Sequence, residues 1–204
     1  MINIFSFAIF AISLIIAITI HEFSHALAAD RLGDPTPRSM GRLSLNPLKH
    51  LDLVGTLMLF LIHFGWGKPV PIDPFNFRNP KRDEIIVSFA GPASNLILAI
   101  LLALIVRFIP LNPLVTTFFS SLIQLNIILA IFNLIPIPPL DGSHIFLNLL
   151  PENSRIKWEE AFSRYGFILL MLLIFLPIGN GGTILSSVIS PIISWILKIL
   201  LPTL

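Results

Sequence analysis

Two histidines four residues apart flank a glutamate in the stretch His21-Glu22-Phe23-Ser24-His25. On a helix, four residues amount to about 40° of rotation and ~6 Å of rise, so both imidazoles leave the same face and can share one metal ion. Glu22 then lies about 100° round from His21, where a carboxylate can reach a metal-bound water without being a ligand. Zinc lowers the pKa of such a water towards ~7, so Glu22 can take its proton at neutral pH. The chain has no cysteine, so thiolate ligands and disulfides are excluded. Any metal must be held by His, Asp or Glu.

A catalytic zinc needs a third protein ligand and one open position. Asp141 is the best candidate. It follows a long apolar segment in a proline-rich stretch, and irregular backbone at membrane depth is tolerated where it lines a protein cavity. The alternative reading of Asp141 is a turn residue before Gly142, since Asp-Gly is a common turn pair. His144 could also be a ligand, although its place suits contact with protein or solvent. His50 lies in a basic loop and His63 in a short apolar segment, and neither has a spacing that points to metal. A site at the membrane face would instead use Glu159 or Glu160.

The elements that must position these groups are membrane helices. Of 204 residues, 55% are hydrophobic and 12% charged, with a mean hydropathy of +0.89. A soluble domain carries roughly 25% charged residues and lacks the interior for so many apolar side chains. Apolar segments cover about residues 3–29, 84–109 and 114–135, each near the ~20 residues a spanning helix needs. The first continues too far for a signal peptide and has no positive start, so it reads as a retained transmembrane helix. Residues 53–66 are apolar but too short to span. Residues 67–83 hold four prolines and read as extended chain or a short hairpin. Residues 152–164 are charged and suit an amphipathic surface helix. Two weaker apolar segments, about 165–178 and 184–201, are split by Gly179-Asn180-Gly181-Gly182. The expected fold is an all-α integral membrane protein: a bundle of about 5–6 transmembrane or re-entrant helices with a small extended or β-hairpin element. With no linker or repeat, residues 1–204 read as one membrane-embedded domain, its catalytic core at about 1–150 and its C-terminal helices at 151–204.

The motif constrains the topology. The histidines lie near the far end of the first segment, ~9–14 Å inside the boundary. For Asp141 to share their metal, an even number of crossings must separate the two. Segments 84–109 and 114–135 supply them, so 53–66 should dip in and return. Arg31, Arg38, Arg42, Lys49, Lys68, Arg78, Lys81, Arg82, Arg155, Lys157 and Arg164 then share one side, which the positive-inside rule makes the cytoplasm, with Arg107 near the other. The positive residues form no basic stripe with interleaved aromatics, so nucleic-acid binding has no support.

Three ordered motifs now stand together: His21-Glu22-x-x-His25, Gly91-Pro92-Ala93-Ser94-Asn95 and Asn133-x-x-Pro136-x-Pro138-x-Leu140-Asp141-Gly142. Over about residues 10–150 the chain resembles the site-2 protease family of intramembrane zinc metalloproteases. The stretch Gly41-Arg42-Leu43-Ser44-Leu45-Asn46-Pro47-Leu48-Lys49 is similar to its compact members. The resemblance implies one zinc ion held by His21, His25 and Asp141, with Glu22 as general base and acid. It implies a role for Asn133 near the scissile carbonyl, as oxyanion donor or substrate contact; helix capping is the alternative for that residue. It implies transmembrane protein substrates and a site inside the bilayer near the cytoplasmic side of the cell membrane. Asn95 reads as a polar contact in a Gly-Pro kink. Ser24 and Ser143 stand where the family often has glycine. No PDZ-sized insertion separates the motifs.

Overall fold

The computed structural model describes residues 4–62, 65–178 and 182–201. Among them, eight α-helices run in the order α1 (Ile4–Leu32), α2 (Thr36–Ser39), α3 (Leu53–Ile62), α4 (Pro80–Phe108), α5 (Pro113–Asn133), α6 (Asp141–Leu149), α7 (Glu152–Phe175) and α8 (Ile184–Leu200). A two-stranded antiparallel hairpin, β1 (Pro177–Ile178) with β2 (Gly182–Thr183), joins α7 to α8. The chain is thus helical with one small hairpin, as its composition predicts. His63 lies outside the described residues.

Local chemistry sets the helix starts. Pro80 and Pro113 occupy the first turns of α4 and α5, where a missing N–H costs nothing. The Asn112 side chain accepts from Val115 N–H at 3.0 Å and caps α5. Thr183 and Ser186 form a reciprocal capping box on α8.

Three helices, α1, α4 and α5, are long and apolar enough to cross a membrane. They pack against one another, and α6 packs on α4. A buried cluster of Ala99, Leu102 and Ala103 on α4 with Leu122, Ile123 and Ile127 on α5 forms the main core. The buried face of α1 includes Ser13, Ala17, Ala26 and Ala29, small residues that let its backbone approach its neighbours. The opposite face of α4 leaves Ile97, Ile100, Leu101 and Leu104 exposed, as a lipid-facing surface requires.

Two details depart from the sequence reading. The charged stretch 152–164 and the apolar segment after it are one continuous helix, α7, because no proline interrupts it and an isolated glycine, Gly166, is tolerated within a helix. Of the stretch 67–83, residues 67–73 are extended chain, one of the two forms expected, with one antiparallel bridge, Leu51 to Gly67, whereas Pro74–Asn76 form a 3-10 turn, α4 begins at Pro80, and the hairpin lies at 177–183. That bridge, with Lys68 N–H donating to His50 C=O at 2.7 Å, brings the two ends of the 53–66 segment together.

Candidate metal centre

Helix α1 presents His21 and His25 on one buried face, as their spacing requires. Asp141 opens α6, and its position depends on Gly142. A Cβ at 142 would collide with Leu134 C=O and sit 2.5 Å from Ile135 C=O, so only glycine lets the chain fold back this tightly after α5. Ser143 fits this turn, because its hydroxyl donates to Leu140 C=O at 2.7 Å. The result is a cluster in which one ligand atom each from His21, His25 and Asp141 lies within 4.8 Å of the others. Asp141 Oδ2 is 3.1 Å from His21 Nε2 and 3.3 Å from His25 Nε2, and the two Nε2 atoms are 3.1 Å apart.

The outer ring nitrogens determine what this cluster can hold. His25 Nδ1 is 2.7 Å from Val87 C=O, which can only accept, so Nδ1 carries the proton. His21 Nδ1 is 2.7 Å from Asn95 Oδ1. When neutral, either imidazole so held turns an Nε2 lone pair inward. Asp141 Oδ2 is buried without a hydrogen-bond partner. Three acceptors facing one another over a few ångströms repel, and a cation between them satisfies all three. The donor set, two imidazoles and one carboxylate, is one that zinc takes in catalytic sites.

Helix α4 runs antiparallel to α1 and backs the cluster along one stripe. Asn95 faces His21, Val87 C=O faces His25, and Glu84 accepts from α6 through His144 Nδ1 and Asn148 Nδ2, each at 3.0 Å. Gly91, between them, makes the close approach possible. A Cβ there would collide with His25 Nε2 and lie 2.7 Å from His21 Cε1.

Glu22 is half-buried beside the pair, and its Oε2 accepts from Val70 N–H at 3.1 Å. The segment carrying Val70 is held on its inner side by Lys68 N–H to His50, by the Arg42 guanidinium on Lys68 C=O, and by Asp73 N–H to Asp34 at 2.9 Å.

The other candidates lie elsewhere. His144 pairs with Glu84, and His50 Nε2 is 2.6 Å from Ser44 C=O. Glu159 is paired with Arg155 and Glu160 with Arg164 on α7, away from the cluster. Asn133 ends α5, and its Nδ2 donates to Leu129 C=O at 2.9 Å, one turn back. Sequence reasoning missed Glu84, Val87, Asn126 and Val70. The helical spacing of 84, 87, 91 and 95 was a signal for the first two.

Comparison with known proteins agrees with this chemistry. The model of "Peptidase family M50" matches residues 9–116 and 110–174. The "Putative zinc metalloprotease YwhC" of Bacillus subtilis (strain 168) is 42% identical over 178 residues, 83% of this chain and 81% of that protein. Rip2 of Mycolicibacterium smegmatis, which carries the same description, is 33% identical over 174 residues, 81% of this chain and 66% of that protein. The "Zinc metalloprotease MJ0392" of Methanocaldococcus jannaschii is 26% identical over 182 residues, 89% of this chain and 46% of that protein. No solved structure matches the chain.

Proposed function

This chain belongs to peptidase family M50, the site-2 proteases, and is a multi-pass membrane zinc metalloendopeptidase; from that premise we propose that it hydrolyses peptide bonds in or near the transmembrane segments of other membrane proteins. The observation that carries the reading is the convergence of His21, His25 and Asp141 on the buried face of a helix long enough to span the bilayer. A metal held there is reached below the membrane surface. Residues 1–204 act as one membrane-embedded protease domain.

When bound at this cluster, one zinc ion supplies a Lewis acid for the scissile carbonyl and acidifies the attacking water. His21, His25 and Asp141 would hold it. Glu22 accepts the water's proton and returns it to the leaving amine. Val70 N–H orients the Glu22 carboxylate for this task. Asn133 acts near the scissile carbonyl; as an oxyanion donor it can keep its bond to Leu129 and offer its second Nδ2 hydrogen to substrate.

A transmembrane helix hides its amides in its own hydrogen bonds, so the substrate must unwind locally. Residues 67–73 are suited to receive it as an edge strand. Lys68 and Val70 turn their N–H groups inward, and the intervening Pro69 and Pro71 have none, so the outer edge offers carbonyl acceptors to substrate N–H groups. The meeting of Leu51 with Gly67 supports a 53–66 segment that enters the bilayer and returns. With that path the positive loops gather on the cytoplasmic side, from which water reaches the site.

Metal analysis tests the ligand set. Purified wild type should hold one zinc per chain, Asp141→Asn and His21→Ala should lose it, and Glu159→Gln with Glu160→Gln should keep it. Zinc retained by Asp141→Asn and lost from the double glutamate variant would move the third ligand to α7.

A further inference from the structure

We propose that Asn95, backed by Asn126, is a positioning residue for the metal: its side-chain carbonyl fixes His21 in the tautomer that leaves Nε2 free. The inference deepens the proposed function and rests on His21 being a ligand.

Hydrogen-bond direction across three helices fixes both amides. Asn126 on α5 sends its Nδ2 to Leu122 C=O at 2.7 Å, and its Oδ1 accepts from Asn95 Nδ2 at 2.7 Å. Asn95 Nδ2 also donates to Ala17 C=O on α1 at 3.0 Å. Backbone carbonyls stand at both ends and can only accept, so neither amide can flip without setting oxygen against oxygen. Asn95 Oδ1 is thereby committed to His21 Nδ1 at 2.7 Å. An acceptor there requires a proton on Nδ1, and the neutral ring then leaves its Nε2 lone pair for the cluster. Both asparagines are 0% exposed, so water cannot substitute for either partner. His25 receives the same instruction from the backbone of Val87. His21 is therefore the histidine whose tautomer depends on side chains that substitution can remove. Such outer partners typically govern metal affinity by roughly 10–100-fold.

A purely structural role for Asn95, as polar glue between α1, α4 and α5, makes the opposite forecast for two variants. Asn95→Leu keeps the size and suits an apolar bundle but removes the acceptor. Asn95→Asp puts a second acidic group in the bundle but, ionised or protonated, keeps an oxygen facing His21 Nδ1. Zinc affinity, measured by chelator competition in detergent alongside a thermal melt, should fall roughly 10–100-fold for Asn95→Leu and stay close to wild type for Asn95→Asp. Asn95→Leu binding zinc as wild type does, or Asn95→Asp binding no better than Asn95→Leu, would overturn the proposal. A wild-type chain that binds no zinc would defeat the ligand assignment instead. Should Asn95→Asp not fold, nitrogen NMR of the His21 ring in metal-stripped wild type decides. A proton on Nδ1 supports the proposal, and a proton on Nε2 overturns it.

Discussion

Ring nitrogens turned away from the cluster decide what His21 and His25 can hold. Their Nδ1 atoms face Asn95 and Val87, and their Nε2 atoms face Asp141 across 3.1 and 3.3 Å. Gly91 keeps this arrangement open, because any side chain at 91 enters the space of both rings. Gly91→Ala should therefore cost about 1–3 kcal/mol of overpacking, visible as zinc affinity weakened by roughly 10-fold or more in chelator competition. Unchanged affinity would mean that α4 can retreat from α1 at no cost. The His21–His25 pair was legible in the sequence because its geometry is local to one helix. Asp141 was legible as a candidate because few acidic residues lie at membrane depth. The stripe 84, 87, 91 and 95 was not read. Helical spacing shows that these residues share a face but not which apolar helix the face meets, so Asn95 read as a contact in a Gly-Pro kink.

Among the elements, the loop after α1 governs the segment that touches Glu22. Asp34 is buried, and its carboxylate accepts from Thr36 N–H, Asp73 N–H and the Asn76 amide at 2.8–3.0 Å, tying α1 to residues 73–76. Burial pushes the Asp34 carboxyl up, but hydrogen bonds from Thr36, Asp73 and Asn76 outweigh it and hold it below the usual range. A depressed folded-state pKa stabilises the fold above the ordinary carboxylate value of ~4 and loses that contribution as pH falls through the depressed value. Asp34→Ala, which leaves three donors unpaired, should destabilise by about 1–3 kcal/mol at neutral pH. Its melting temperature in detergent should also fall less than that of wild type as the pH drops below about 4. Parallel acid melts would show that this clamp contributes nothing through its charge. None of these bonds was visible in the sequence, where Gly33-Asp34-Pro35 read only as a breaker cluster. Two of the three partners, Asp73 and Asn76, lie about 40 residues along the chain, beyond the reach of local pattern. Within the proline-rich stretch 67–83, residues 67–73 were legible as extended chain because proline excludes its predecessors from helix.

At the scale of the whole molecule, loop charge and the ligand set point to one orientation. Composition made the membrane legible, and the count of crossings between His25 and Asp141 is the ground for proposing a returning 53–66 segment. The continuity of α7 was not, because a change from charged to apolar residues marks a change of environment and not a helix end. The chain has no cysteine, so single cysteines report sidedness without background. Ser39→Cys and Lys68→Cys should label from the cytoplasmic side and Asn112→Cys from the opposite side. Labelling of Ser39→Cys and Lys68→Cys from different sides would require 53–66 to cross.

The most direct test of the central claim is cleavage of a single-span peptide in liposomes by purified protein, with bound zinc measured on the same samples. Wild type should cut within or beside the span, and Glu22→Gln should keep its zinc yet lose roughly 100-fold or more of the rate. Zinc-loaded Glu22→Gln cleaving at the wild-type rate, or wild type cutting soluble peptides while sparing every span, would contradict the account.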